Sequence, residues 1–242
     1  MIEKSKRKKE ITLTKELAKR LQKKFSNYKI YANKSPSRSP KVKKLWTQLF
    51  RETCPPLQPE IDMIIWEPAN SSDTNSRIKI RAIEIKYFKK EDQKINQSFY
   101  KGIEQTLALL QWGFDNVALW QFFDDSFSDA DLRNYGCRTW FYIHGLLKLP
   151  IEFTPIRVIG NDLENIKFNV IQADWFNNLK PIKLLDIDDP RFNFTYRNPN
   201  PFTNEKLFQN RKNEPLVNKF LTESKSLRNF ILSWLEHTPR NF

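Results

Sequence analysis

Apolar residues along the chain fall into blocks whose spacing alternates between helical and strand-like. Leu13, Leu17, Leu21 and Phe25 recur every fourth residue, with Ala18 alongside and Lys15, Lys19, Arg20, Lys23 and Lys24 elsewhere. This spacing predicts an amphipathic helix, with Thr12 or Thr14 as its cap. Tyr28–Tyr31 is a short candidate strand, and Val42, Leu45, Trp46, Leu49 and Phe50 mark a second amphipathic helix. The runs 59–66 and 78–88 are rich in Ile, Trp, Tyr and Phe and are separated by turn formers, which predicts two antiparallel strands.

A helix is predicted over 95–112, stopped by Gly113. The unbroken apolar run Val117–Phe123 then reads as a strand buried on both faces. Ser126–Tyr135 predicts a short acidic helix and Arg138–Ile143 a strand. Further on, 151–159 and 166–171 predict strands, 186–190 a turn and the Asn-Pro-Asn-Pro run at 198–201 a loop. Leu216, Phe220, Leu227, Ile231 and Trp234 predict a long closing helix over 215–236. Its aromatic face has two uses, core packing or a homodimer interface.

The fold class expected from this order is α/β, a mixed central sheet flanked by helices. Residues 1–144 would form its core, and 145–242 a C-terminal extension of unassigned role packed on it and ending in the long helix.

The central strand pair carries charges that its apolar composition does not call for. Side chains alternate between the two faces of a strand, so Glu84 and Lys86 share one face with Ile80 and Ala82, while Ile83, Ile85 and Tyr87 point the other way. On the first strand Asp62 shares its face with Glu60 and Ile64. Charges in such surroundings cost several kcal/mol, roughly, unless a partner or a metal compensates. A solvated charge rung, with Asp62 as a cross-strand partner, is the structural alternative.

Composition narrows the chemistry. With two cysteines and two histidines in 242 residues, zinc sites and histidine-based nucleophilic catalysis have little to build on. Cys54 and Cys137 are expected to be free thiols. No apolar run approaches the ~18 residues of a membrane span, and the Lys-rich start does not resemble a secretory signal, so a soluble, cytoplasmic protein without membrane partners is expected.

The net charge of +13 is unevenly placed: residues 1–58 hold 17 Lys/Arg against 4 Asp/Glu, and the remainder holds 24 of each. A basic segment on a neutral domain suggests a polyanionic partner, nucleic acid before membrane. Lys34, Arg38, Lys41, Lys43 and Lys44 are the cations best placed to line a phosphate backbone.

A helix bearing a glutamate, Asp62 on one strand, Glu84-Ile85-Lys86 on the next 22 positions later, a helix with Gln105 and a buried strand together resemble the PD-(D/E)XK nuclease superfamily. The resemblance covers residues 10 to about 143 and implies a restriction-endonuclease-like core. It implies that Asp62 and Glu84 bind Mg²⁺, with Mn²⁺ as a substitute, and that Ile85 contributes its main-chain carbonyl. It further implies that Lys86 positions or activates water, with Glu16 and Gln105 at accessory catalytic positions. The expected activity is that of a metal-dependent nuclease acting on DNA, most simply an endonuclease. One departure is visible: Glu60 and Ile61 stand between Pro59 and the aspartate, which makes Glu60 a further candidate ligand. A non-catalytic nucleic-acid-binding protein on the same scaffold is the alternative.

Overall fold

The computed structural model describes residues 2–35, 60–69, 78–91, 94–95, 98–110, 112–160, 162–175, 177, 180–194, 215–238 and 240, with the single positions 40, 44 and 48. Helix α1 (Ile2–Lys24) leads into strands β1 (Lys29–Lys34), β2 (Ile61–Glu67) and β3 (Lys79–Phe88). The two-residue strands β4 (Lys90–Glu91) and β5 (Lys94–Ile95) form a separate small ribbon. Helix α2 (Ile103–Leu110), strand β6 (Asn116–Phe123) and helix α3 (Asp129–Trp140) follow, α3 continuing into a π-helical turn at Phe141–Leu146. Strands β7 (Glu152–Ile159), β8 (Lys167–Gln172) and β9 (Lys183–Asp186) and helix α4 (Pro215–Glu236) complete the chain.

Among the described residues, seven strands form one mixed sheet in the order β1-β2-β3-β6-β7-β8-β9. The pairs β3–β6 and β6–β7 are parallel and the others antiparallel. All eight positions of β6 are buried, as its unbroken apolar run predicts. Residues beyond 144 supply β7–β9 of this same sheet and the long helix, which lies over its centre.

Alternation along β3 divides the core into two layers. Ile83, Ile85 and Tyr87 meet Leu13, Leu17, Ala18 and Leu21 of α1. Ile80 and Ala82, on the opposite face, pack with Leu109 of α2 and with Leu227, Ile231 and Leu235 of α4. Phe230 and Trp234 of α4 pack against the same layer, and the Phe220 side chain lies outside the described residues. Arg228 fixes this helix in place, donating to both carboxylate oxygens of Asp115 (2.9 and 3.3 Å) and to the Ile78 carbonyl.

Three expected elements differ. Residues 138–143 form no strand: the end of α3 and the π-helical turn occupy them. Ser128 caps α3 in a reciprocal box with Asp131. The buried positions Leu132, Gly136, Thr139 and Ile143 then recur at helical spacing, while Phe141 is half exposed. Helix α2 begins eight residues later than expected, because Gly102 adopts a positive φ of 95° and a turn occupies residues 99–102. Helix α1 starts a full three turns earlier than its apolar stripe, so neither Thr12 nor Thr14 is a cap. Both hydroxyls donate to carbonyls four residues back, Lys8 and Glu10.

The helix expected around Val42–Phe50 and the loop at 198–201 lie outside the described residues, as does Cys54. Cys137 is a free thiol. No described helix is long and apolar enough to cross a membrane.

Candidate active site

Strand β2 begins at Ile61, so the far end of β3 runs on without β2 along one edge, while β6 continues beside the other edge as far as Phe88. The register pairs Met63 with Ile83, and continuing it by one residue sets Asp62 opposite Glu84. Beyond that point the outward backbone N–H groups of β3 need other acceptors, since a buried amide left unpaired costs about as much as a lost hydrogen bond. Two carboxylates take the role of the missing strand. Asp62 Oδ2 accepts from the Ile85 N–H at 2.7 Å, and Glu10 Oε2, from α1, accepts from the Tyr87 N–H at 2.9 Å. A strand residue turns its N–H and C=O to the same side, so the Ile85 carbonyl faces the Asp62 edge as well. The Ile85 side chain is in the core beneath α1.

Glu84 and Lys86 point to the other face and are almost wholly enclosed, 1% and 7% exposed. Lys86 Nζ donates to Glu84 Oε1. Glu84 Oε2 is buried with no hydrogen-bond partner, an uncommon state for a carboxylate oxygen. The Lys86 stem rests against Gly102, where an added Cβ would stand 2.9 Å from Lys86 Cγ. Glycine is required there both by the space and by the positive φ.

Around these groups lies a cleft of about 440 Å³ at the C-terminal end of β3, the end of an α/β sheet where ligands bind. Glu10, Asp62, Glu84, Lys86, Lys101 and Gln105 line it, and Lys6, Arg7 and Glu60 stand with them. Glu60 is engaged by Arg7 Nη2 at 2.9 Å, a pair that ties α1 to the start of β2.

The electrostatics follow from burial. Desolvation pushes the Asp62 carboxyl up to about 7, against the pull of Lys86 and the Ile85 N–H. Glu84 is raised well above the carboxylate range, by burial first and by the Asp62 charge second. Glu10 is raised by the same desolvation. Burial also opposes the Lys86 charge, but Glu84, Asp62 and Glu10 outweigh it and hold the ammonium above its ordinary value. Three carboxyls, Glu84, Asp62 and Glu10, thus act on one buried cation, Lys86.

Asp62, Glu84, Lys86 and Gln105 line one cleft, and the Ile85 N–H is bonded to Asp62 at its edge. Glu16 does not join them: it is held by Arg20 at 2.9 Å and lies outside the cleft lining. The helix glutamate at the site is Glu10, three residues before Leu13 and seven before Leu17, so extending the apolar stripe back by one turn identifies it. Lys34 ends β1, half-buried and outside the cleft, its pKa lowered by burial. Lys44 is exposed, and Arg38, Lys41 and Lys43 lie outside the described residues.

Among the described residues no group of three or more His, Cys, Asp or Glu side chains gathers closely enough to hold a metal ion. A cation here would rest on Asp62 and Glu84 with main-chain and water oxygens, a hard donor set of the kind Mg²⁺ accepts. The partnerless Glu84 Oε2 is the atom it would satisfy. Comparison with protein-family models, with curated proteins and with solved structures finds no match to this chain.

Proposed function

We propose that the chain is a metal-dependent nuclease of the PD-(D/E)XK kind, hydrolysing phosphodiester bonds of DNA with Mg²⁺ or Mn²⁺. The observation that carries this reading is the pairing of Asp62 with a buried Glu84-Ile85-Lys86 segment whose Glu84 Oε2 has no partner. The mixed sheet, with α1 on one face and α2 on the other, is compatible with a restriction-endonuclease-like core. A bound divalent cation would supply Lewis-acid stabilisation of charge on the phosphate and an acidified water.

The chain's own residues have separable tasks. Asp62 and Glu84 provide the anionic pair and hold it through the Ile85 N–H and the Lys86 ammonium. Lys86 remains protonated, so it orients a water and a phosphate oxygen by donating hydrogen bonds rather than by removing a proton. Lys101, Lys6 and Arg7 put positive charge around the cleft, where a phosphodiester would enter. Gln105, from α2, offers a neutral donor and acceptor on the same wall.

The test is cleavage of labelled single- and double-stranded DNA and RNA by the purified chain, in Mg²⁺, in Mn²⁺ and in EDTA, beside Glu84→Ala and Lys86→Ala. Metal-dependent cleavage that both variants lose is expected. Cleavage that persists in both removes the site, and binding without cleavage in any metal favours the non-catalytic alternative.

A further inference from the structure

Beside the cleft, the turn at residues 99–102 carries an aromatic ring that the core does not need. The turn is firmly anchored. The Phe99 carbonyl accepts from Gln121 Nε2 at 2.8 Å and from Thr139 Oγ1 at 2.9 Å. The Gly102 carbonyl accepts from the Thr106 N–H and Oγ1 at 2.9 and 2.7 Å. Between these anchors Lys101 lines the cleft, and Tyr100, one peptide away, is 49% exposed.

The Tyr100 ring does not hang free. Phe99 meets it edge-on at 5.2 Å and Tyr142 lies behind it at 6.1 Å, tilted by 33°. Phe99 in turn braces Tyr142 edge-on at 5.9 Å. The three rings form a buttress whose outer member is held in place with about half its surface in water.

We propose that Tyr100, backed by Tyr142, is a stacking platform for an unpaired nucleobase, so that the strand entering the cleft is single-stranded or locally unpaired at that point. The inference rests on the nuclease reading for the phosphate that the cleft takes. A phosphate beside Lys101 brings its flanking bases within a nucleotide's length of Tyr100. Base–aromatic stacking tolerates any sequence because every base has a π-face, whereas bases inside a duplex are stacked on their neighbours and offer no face. A protein partner is disfavoured, since a single braced ring beside cations is far smaller than a protein interface.

The test uses the full chain in EDTA, so that binding is read without cleavage. Its probe is a short oligodeoxynucleotide carrying 2-aminopurine, single-stranded and as a duplex. Affinity is read by anisotropy and stacking by quenching of the 2-aminopurine. Wild type is expected to bind and quench the single strand. Tyr100→Ala and Tyr100→Leu are expected to lose the quenching and about 5- to 150-fold in single-strand affinity, with duplex affinity little changed. Tyr100→Phe is expected to keep both, and circular dichroism shows whether each variant is folded. Quenching that survives Tyr100→Ala, equal losses on single strand and duplex, or a wild type that does not quench would each overturn the platform. Cleavage in Mg²⁺ is read separately: cleavage with no stacking removes this inference alone, and stacking with no cleavage removes the nuclease reading alone.

Discussion

The two ends of β3 both bury charge, and they do so in opposite ways. Near its start, the Asp115 carboxylate takes the Ile80 N–H at 2.8 Å and two donors of Arg228, so one anion meets one cation with its hydrogen bonds filled. At its end, Asp62, Glu84 and Glu10 surround the buried Lys86, and one oxygen of Glu84 has no partner. The first arrangement fastens α4 to the sheet. The second sets three carboxyls against one ammonium, and burial raises the pKa of each carboxyl. On the proposed nuclease reading, the matched charge is structure and the surplus is a site.

Substitutions at the two ends should therefore have opposite signatures, beginning with the largest. Lys86→Ala is expected to lower cleavage by about 10²- to 10³-fold, the usual worth of a positioned hydrogen-bond donor, with little change in the urea midpoint at low pH, where the carboxyls are protonated. Arg228→Ala is expected to leave the site chemistry alone but to cost about 3–5 kcal/mol of stability, because Asp115 stays buried without its cation. Urea unfolding checks this; a loss below about 1 kcal/mol would make the pair a surface bridge in energetic terms.

The pH dependence separates the ends further. Asp62 has a folded-state pKa raised from 3.8 to about 7. The folded chain therefore binds a proton that the unfolded chain releases between those values. Its contribution to stability is present below about pH 4 and is lost as pH rises through about 7, on the order of 4 kcal/mol at most from ~1.4 kcal/mol per pKa unit. Metal-free thermal melts should show that slope, and Asp62→Asn should flatten it and raise Tm at pH 8. Activity should run the other way, rising through about pH 7 as Asp62 ionises.

A smaller effect is expected where the sites meet the scaffold. Gly102→Ala forces a Cβ against the Lys86 stem at a positive φ. Cleavage should fall by about 10-fold, with stability down by about 1 kcal/mol or more. Unchanged kinetics would show that the Lys86 position does not depend on that turn.

How far the chain discloses this arrangement depends on where its signals are local. The alternation Ile83, Glu84, Ile85, Lys86 is a two-residue pattern, and it places Glu84 and Lys86 on one face without any knowledge of the fold. Asp62 follows once β2 and β3 pair in the simplest register. Glu10 is harder to find because its own turn of α1 is mostly Lys and Arg, and only the backward extension of the Leu13–Leu17–Leu21 stripe puts it on the face toward the sheet. Residues 138–143 mislead for a physical reason. Trp, Phe, Tyr and Ile favour strands in isolation, while the Ser128–Asp131 box and the spacing of Leu132, Gly136 and Thr139 commit the chain to a helix that carries through them. The late start of α2 has one local mark, Gly102, whereas the contacts of the Phe99 carbonyl with Gln121 and Thr139 lie far along the chain, and no local pattern encodes those.

The central claim is that Asp62 and Glu84 form one divalent-cation site, and direct titration of Mn²⁺ into the metal-free chain at pH 8 tests it without reference to any substrate. Wild type should bind Mn²⁺, Mg²⁺ should compete for it, and Asp62→Asn and Glu84→Gln should each abolish it while remaining folded. Equal binding by wild type and both variants, or none by wild type, would contradict the claim.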